Sequence, residues 1–149
     1  MIQRILVATD FSPSADAAWR YAVDLARRLD ADLRLVHVAM PTSADAPRKV
    51  RQDDDRAGAL VQRLLEERAA AAGTLAGRVK TALRRGEPVQ VVAAMARDEN
   101  IDLVIVGTHR HHRAGDILVG SVAERLIRLA PCTVAVVKPS KTSVERSAQ

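Results

Sequence analysis

Leu103-Val104-Ile105-Val106-Gly107-Thr108-His109-Arg110, followed further on by Gly120-Ser121-Val122-Ala123-Glu124, reads as a strand, a glycine turn, a loop and a helix start. In α/β proteins this is the arrangement that holds phosphates. Amides freed at a helix start point outward, the helix dipole adds positive potential, and glycines let a ligand approach the main chain. The four apolar residues Leu103 to Val106 form an unbroken run, as does Ile5-Leu6-Val7-Ala8 near the N-terminus. Strands covered on both faces have this pattern, so both runs are expected at the centre of a sheet.

Between these runs the chain alternates strand and helix signals, which predicts an α/β fold with a doubly wound parallel sheet. A first strand is expected over Arg4 to Thr9. Ser12-Pro13 then supplies a cap and a first-turn proline for a helix carrying Ala15, Ala18, Trp19, Ala22, Leu25, Ala26 and Leu29 at helical spacing. Leu33 to Val38 is a second strand. The acidic run Asp53-Asp54-Asp55 is read as the start of the next helix, where carboxylates favour the dipole, with Ala57, Leu60, Val61, Leu64, Leu65, Ala69 and Ala72 as its apolar stripe. Val79 to Arg84, broken by Lys80, Thr81 and Arg84, is the weakest strand and is expected at an edge. Gly86-Glu87-Pro88 turns into a helix with Val89, Val92, Ala93 and Ala96. If the two central strands are neighbours, the strand order reverses between them, and the crevice at their C-terminal ends becomes the expected ligand site.

Composition narrows the function. The 149 residues suit one domain with a real core, 48% hydrophobic and 28% charged. Lys and Arg outnumber Asp and Glu by 23 to 18, a net +5 that favours anionic partners. Nucleic acid is not expected, because Phe11, Trp19 and Tyr21 are the only aromatic residues and offer no distributed stacking platform. Cys132 is the single cysteine, so no internal disulfide forms, and a lone thiol suits a reducing compartment. The run Ile5 to Ala8 is too short for a signal peptide and no stretch is long enough to span a membrane, so the expected location is the cytoplasm.

The segment from Gly107 resembles the C-terminal motif of the universal stress protein family, Gly-x2-Gly-x9-Gly-Ser/Thr, with Gly107, Gly120 and Ser121 in register and Arg110 where the second glycine stands. The resemblance continues from Ile2 to about Lys138, through Ile5 to Ser12, Val36-His37-Val38, Gly86 and Ala130 to Val137. It implies a domain over 1–138 with a five-stranded sheet in the order 3-2-1-4-5 and helices on both faces. Residues 139–149 form a polar tail without an apolar stripe, expected to be disordered. In the nucleotide-binding branch, the positions matching Ala8, Thr9 and Asp10 border adenosine, with Asp10 near the ribose or a phosphate-bound Mg. Val38 matches an adenine-pocket position. Val106 and Gly107 match the strand end beneath the nucleotide, and Gly120, Ser121 and Val122 match the helix start that holds phosphates.

Two readings stand at three of these positions. Ser121-x-x-Glu124 has the form of a capping box, which needs no ligand but is compatible with one. Asp10 either closes the turn before Ser12 or meets a ligand. Arg110 either strains and narrows the phosphate cradle or, with Arg113, holds phosphate through its guanidinium.

His109-Arg110-His111-His112-Arg113 is read as a solvated basic loop, because two arginines would repel a metal cation. His37 is read as a structural hydrogen-bonding residue and Cys132 as a small buried one. Neither a Gly-x4-Gly-Lys-Ser/Thr loop nor a Gly-x-Gly-x-x-Gly fingerprint is present, and no Ser/His/Asp grouping stands out. No catalytic residue and no direct metal ligand is therefore assigned. The expectation is a stress-response or regulatory protein that binds an adenine nucleotide (ATP, ADP or AMP) and whose ligand state alters binding to a protein partner. The alternatives are a dimeric interaction module of the same fold that needs no nucleotide and, more weakly, a slow ATPase. A homodimer is expected through Thr133 to Val137, since an apolar strand at a sheet edge invites pairing with its own copy.

Overall fold

The computed structural model describes residues 1–108 and 119–139. The expected positions Arg110, His109, His111, His112, Arg113 and Gly115, and the tail beyond Pro139, lie outside the described residues. Elements follow in the order β1 (Arg4–Ala8), α1 (Pro13–Leu29), β2 (Asp32–Ala39), α2 (Arg48–Ala70), a 3₁₀ turn (Gly73–Arg78), β3 (Val79–Arg85), α3 (Pro88–Asp98), β4 (Leu103–Gly107), α4 (Ser121–Leu129) and β5 (Thr133–Val137). The five strands form one all-parallel sheet ordered β3-β2-β1-β4-β5. This is the expected architecture, with β3 at one edge.

Burial explains why β1 and β4 carry continuous apolar runs. Ile5 and Val7 pack with Leu33, Leu35 and Ile105 against Trp19, Ala22 and Ala26 of α1 and Leu65 of α2. Leu6, on the opposite face, packs with Val36, Val104 and Val106 against Val89, Val92 and Met95 of α3 and Leu126 of α4. Alternate side chains of one strand thus enter two separate cores, and neither face has room for a polar residue. Register pairs Ile5 with Leu103 and Val7 with Ile105, which makes the two central strands direct neighbours.

Local chemistry sets most helix starts. Ser12 Oγ accepts from the Ala15 amide at 3.2 Å and Pro13 begins α1. Glu87 accepts from the Gln90 amide at 2.9 Å and Pro88 begins α3. Two expectations are corrected. Helix α2 begins at Arg48, directly after Pro47, so Asp53-Asp54-Asp55 falls inside it rather than at its start. The last proline decides the boundary, because nothing from Arg48 to Gln52 opposes helix formation. The carboxylate of Asp54 instead accepts from the Thr42 hydroxyl and ties down the β2–α2 connection. The apolar stripe of α2 also divides, with Leu65 and Ala69 buried and Leu60 56% exposed.

The second correction concerns α4. Gly120 is its N-cap, Ser121 is already the first helical residue, and among the described residues no side chain caps the start. Glu124 pairs with Arg128 at 2.5 Å, one turn on, so the capping-box reading fails. A box requires its serine at the cap position, and that position is held by Gly120, one residue before Ser121.

Candidate functional site

The strand order reverses between β1 and β4, because β1 continues to β2 on one side while β4 continues to β5 on the other. A cavity of about 230 Å³ opens at their C-terminal ends. Ala8, Thr9 and Asp10 enter it from β1 and the following turn, Val38 from β2, Val106 and Gly107 from β4, and Val122 from the first turn of α4. These are positions expected from the sequence, brought from across the chain to one crevice. Gly120 and Ser121 are not in its lining, although they adjoin Val122. Gly120 is buried and Ser121 is exposed.

Sequence reasoning missed Ser14 and Ala15 of α1, Pro88 and Val92 of α3, and Ala123 of α4 as lining residues. The signal was available: each lies in the first or second turn of a helix that follows a parallel strand, the turns that border a switch-point crevice. His37 also borders the cavity, and its Nδ1 donates to the Thr9 carbonyl at 2.7 Å, which is the structural hydrogen bond expected of it.

The walls are mostly apolar, with Thr9, Asp10, Ser14 and His37 as the polar side chains among the described lining residues. Thr9 is buried, its amide donating to Val36 O at 2.9 Å and its Oγ1 accepting from the Phe11 amide at 3.0 Å. Asp10 is exposed and its Oδ1 accepts from the Ser12 amide at 2.9 Å, so it does close the turn. Next to the lining residue Pro88, Glu87 accepts from the Arg125 guanidinium at 2.7 Å, which joins α4 to the start of α3. The Gln90 amide, with Arg125 assisting, holds the Glu87 carboxyl below its ordinary value. The first-turn amides of α4 have no side-chain cap among the described residues and adjoin this crevice through Val122 and Ala123.

Among the described residues, no three His, Cys, Asp or Glu side chains are grouped to hold a metal. Cys132 is half-buried, and burial pushes its thiol up, away from the reactive thiolate. No described helix is long and apolar enough to cross a membrane.

The family model for the universal stress proteins matches residues 1–138, over this same arrangement of sheet and crevice. The chain belongs to the universal stress protein family. A relative from Staphylococcus haemolyticus named for the same family is 33% identical over 141 residues, covering 91% of this chain and 84% of the relative. Universal stress protein UspA from Lactobacillus plantarum superimposes with a TM-score of 0.79 at 27% identity, covering 91% of this chain and 97% of that one. A universal stress protein solved in complex with cAMP superimposes with a TM-score of 0.71 at 26% identity, covering 93% and 98%.

Proposed function

We propose that this universal stress protein binds an adenine nucleotide in the β1/β4 crevice and that occupancy regulates its contacts in a stress response. The observation that carries the proposal is the convergence of Ala8, Thr9, Asp10, Val38, Val106, Gly107 and Val122 on one cavity at the point where the strand order reverses. The cAMP held by a structural neighbour supports the ligand class. The apolar walls suit a base and sugar, the α4 start suits a phosphate, and Asp10, the one carboxylate among the described lining residues, suits a ribose hydroxyl or a nucleotide-borne Mg. The reading is a binding and regulatory role rather than turnover, since among the described lining residues no side chain is arranged to activate water.

Titration calorimetry with AMP, ADP, ATP and cAMP tests the proposal, as does analysis of nucleotide released from denatured protein. Saturable binding at micromolar to millimolar concentration is expected, about 8 to 4 kcal/mol. Absence of binding by all four up to several millimolar would favour the module that needs no nucleotide. That rival has one observation of its own: packing accounts for Gly107 without a ligand, since an added Cβ there would meet the backbone of Ser14.

A further inference from the structure

The turn that carries Asp10 to the cavity follows an uncommon path. Phe11 sits at φ 62°, in the left-handed region that a bulky L-residue rarely adopts. Glycine would take that conformation without steric cost. A phenylalanine there indicates that the ring is used, and its surroundings show how. The His37 and Phe11 rings lie 5.3 Å apart, tilted by 35°, and the guanidinium of Arg68 stands 5.1 Å from the Phe11 centroid, in cation–π range. Arg68 belongs to α2 and also pairs with Asp16, in the first turn of α1, at 2.5 Å.

His37 acts twice. Its Nδ1–H donates to the Thr9 carbonyl while its ring packs on Phe11, so one side chain of β2 grips both ends of the Thr9-Asp10-Phe11 segment. Strand alternation places His37 on the face of Leu35, opposite Val38. The grip on Phe11 therefore lies on the α1–α2 side of the sheet, where His37 also borders the cavity.

We infer that Phe11 is a positioning residue of the ligand site: its ring, held by His37 and Arg68, fixes the left-handed turn that presents Thr9 and Asp10 to the nucleotide. The inference rests on the proposed nucleotide-binding reading and adds to it. It makes α2 a part of the site through Arg68, although α2 contributes no residue to the cavity lining.

The test compares Phe11→Gly, Phe11→Tyr and Arg68→Met with wild type, measuring AMP affinity by calorimetry and folding by thermal melting. Phe11→Gly relieves the backbone while deleting the ring, so AMP binding is expected to weaken about tenfold through lost preorganisation, by more than any loss of stability explains. Phe11→Tyr retains the ring and should restore affinity. Arg68→Met keeps much of the stem without the cation, should weaken AMP several-fold, and serves if Phe11→Gly does not fold. In ligand-free protein, amide exchange at Phe11 and Ser12 should quicken in His37→Ala. Wild-type binding with unchanged AMP affinity in Phe11→Gly, or in Arg68→Met where Phe11→Gly does not fold, overturns the positioning role alone, as does unchanged exchange in His37→Ala. Failure of the wild type to bind any adenine nucleotide overturns the functional reading and the positioning role with it.

Discussion

A Cβ added to Gly107 would lie 2.4 Å from the carbonyl carbon and oxygen of Ser14, so the end of β4 and the first turn of α1 meet backbone to backbone. The glycine that the sequence suggested as a ligand's approach route is occupied on its side-chain direction by a helix. Gly107→Ala should therefore destabilise the fold by about 1–3 kcal/mol, because neither backbone can move aside cheaply. Urea unfolding followed by circular dichroism measures it. A midpoint within error of wild type would show that α1 can shift.

Asp10 both caps its turn and lines the cavity, and Asp10→Asn separates the two roles. The amide oxygen can still accept from the Ser12 amide, but the negative charge is gone. Stability should change little while nucleotide affinity falls roughly tenfold, about 1.4 kcal/mol. Equal affinity for the two proteins would leave Asp10 as a turn residue only.

Arg110, where the family motif has glycine, is settled by a pair of variants. If its side chain obstructs the phosphates, Arg110→Gly tightens ATP. If its guanidinium holds them, Arg110→Ala weakens ATP more than adenosine and lowers the salt dependence of binding. We expect the tightening; no change in either variant would show that this position does not meet the phosphates.

Asp102 gives the stability curve an acid limb. Its Oδ2 accepts from the amides of Gln3 and Arg4 at 2.8 and 2.9 Å, and these bonds hold the carboxyl below its ordinary value of 3.8. A carboxylate with a depressed folded value contributes stability that is present above the unfolded value and is lost as pH falls through the folded one. Glu87 shifts in the same direction. Asp102→Asn should be less stable at pH 7 and show a shallower loss below about pH 4. Parallel acid limbs for the two proteins would rule out this contribution.

The edge position of β5 supports a proposed homodimer. Val134 to Val137 are half-buried in the single chain, and among the described strands β5 has only β4 beside it in the sheet. An antiparallel pairing of two β5 strands across a two-fold axis would satisfy the open edge. Val136→Lys should give monomer or aggregate in sedimentation measurements, with circular dichroism to check folding. Wild-type protein that stays monomeric at tens of micromolar would refute this pairing.

The layout of the fold was legible in the sequence because it depends on patterns that are local. Unbroken apolar runs at Ile5 to Ala8 and Leu103 to Val106 mean burial on both faces, and such strands sit at the centre of a parallel sheet. Ser12-Pro13 marked a helix start by capping chemistry that acts within a few residues, and Gly86-Glu87-Pro88 marked another as a turn. The meeting of Thr9-Asp10 with Gly107 followed, since the ends of central strands meet where the order reverses, while Ala8, Val38, Val106 and Val122 came from the family resemblance. The start of α2, the missing cap on α4, the contact of Gly107 with Ser14 and the left-handed Phe11 did not follow. Asp53-Asp54-Asp55 and Ser121 each carry a plausible capping pattern, and only the packed chain decides which residue stands at the boundary. The spacing between Gly107 and Ser14, and the grip of His37 and Arg68 on Phe11, join segments far apart in the chain. No window of sequence contains both partners, so tertiary packing alone determined them.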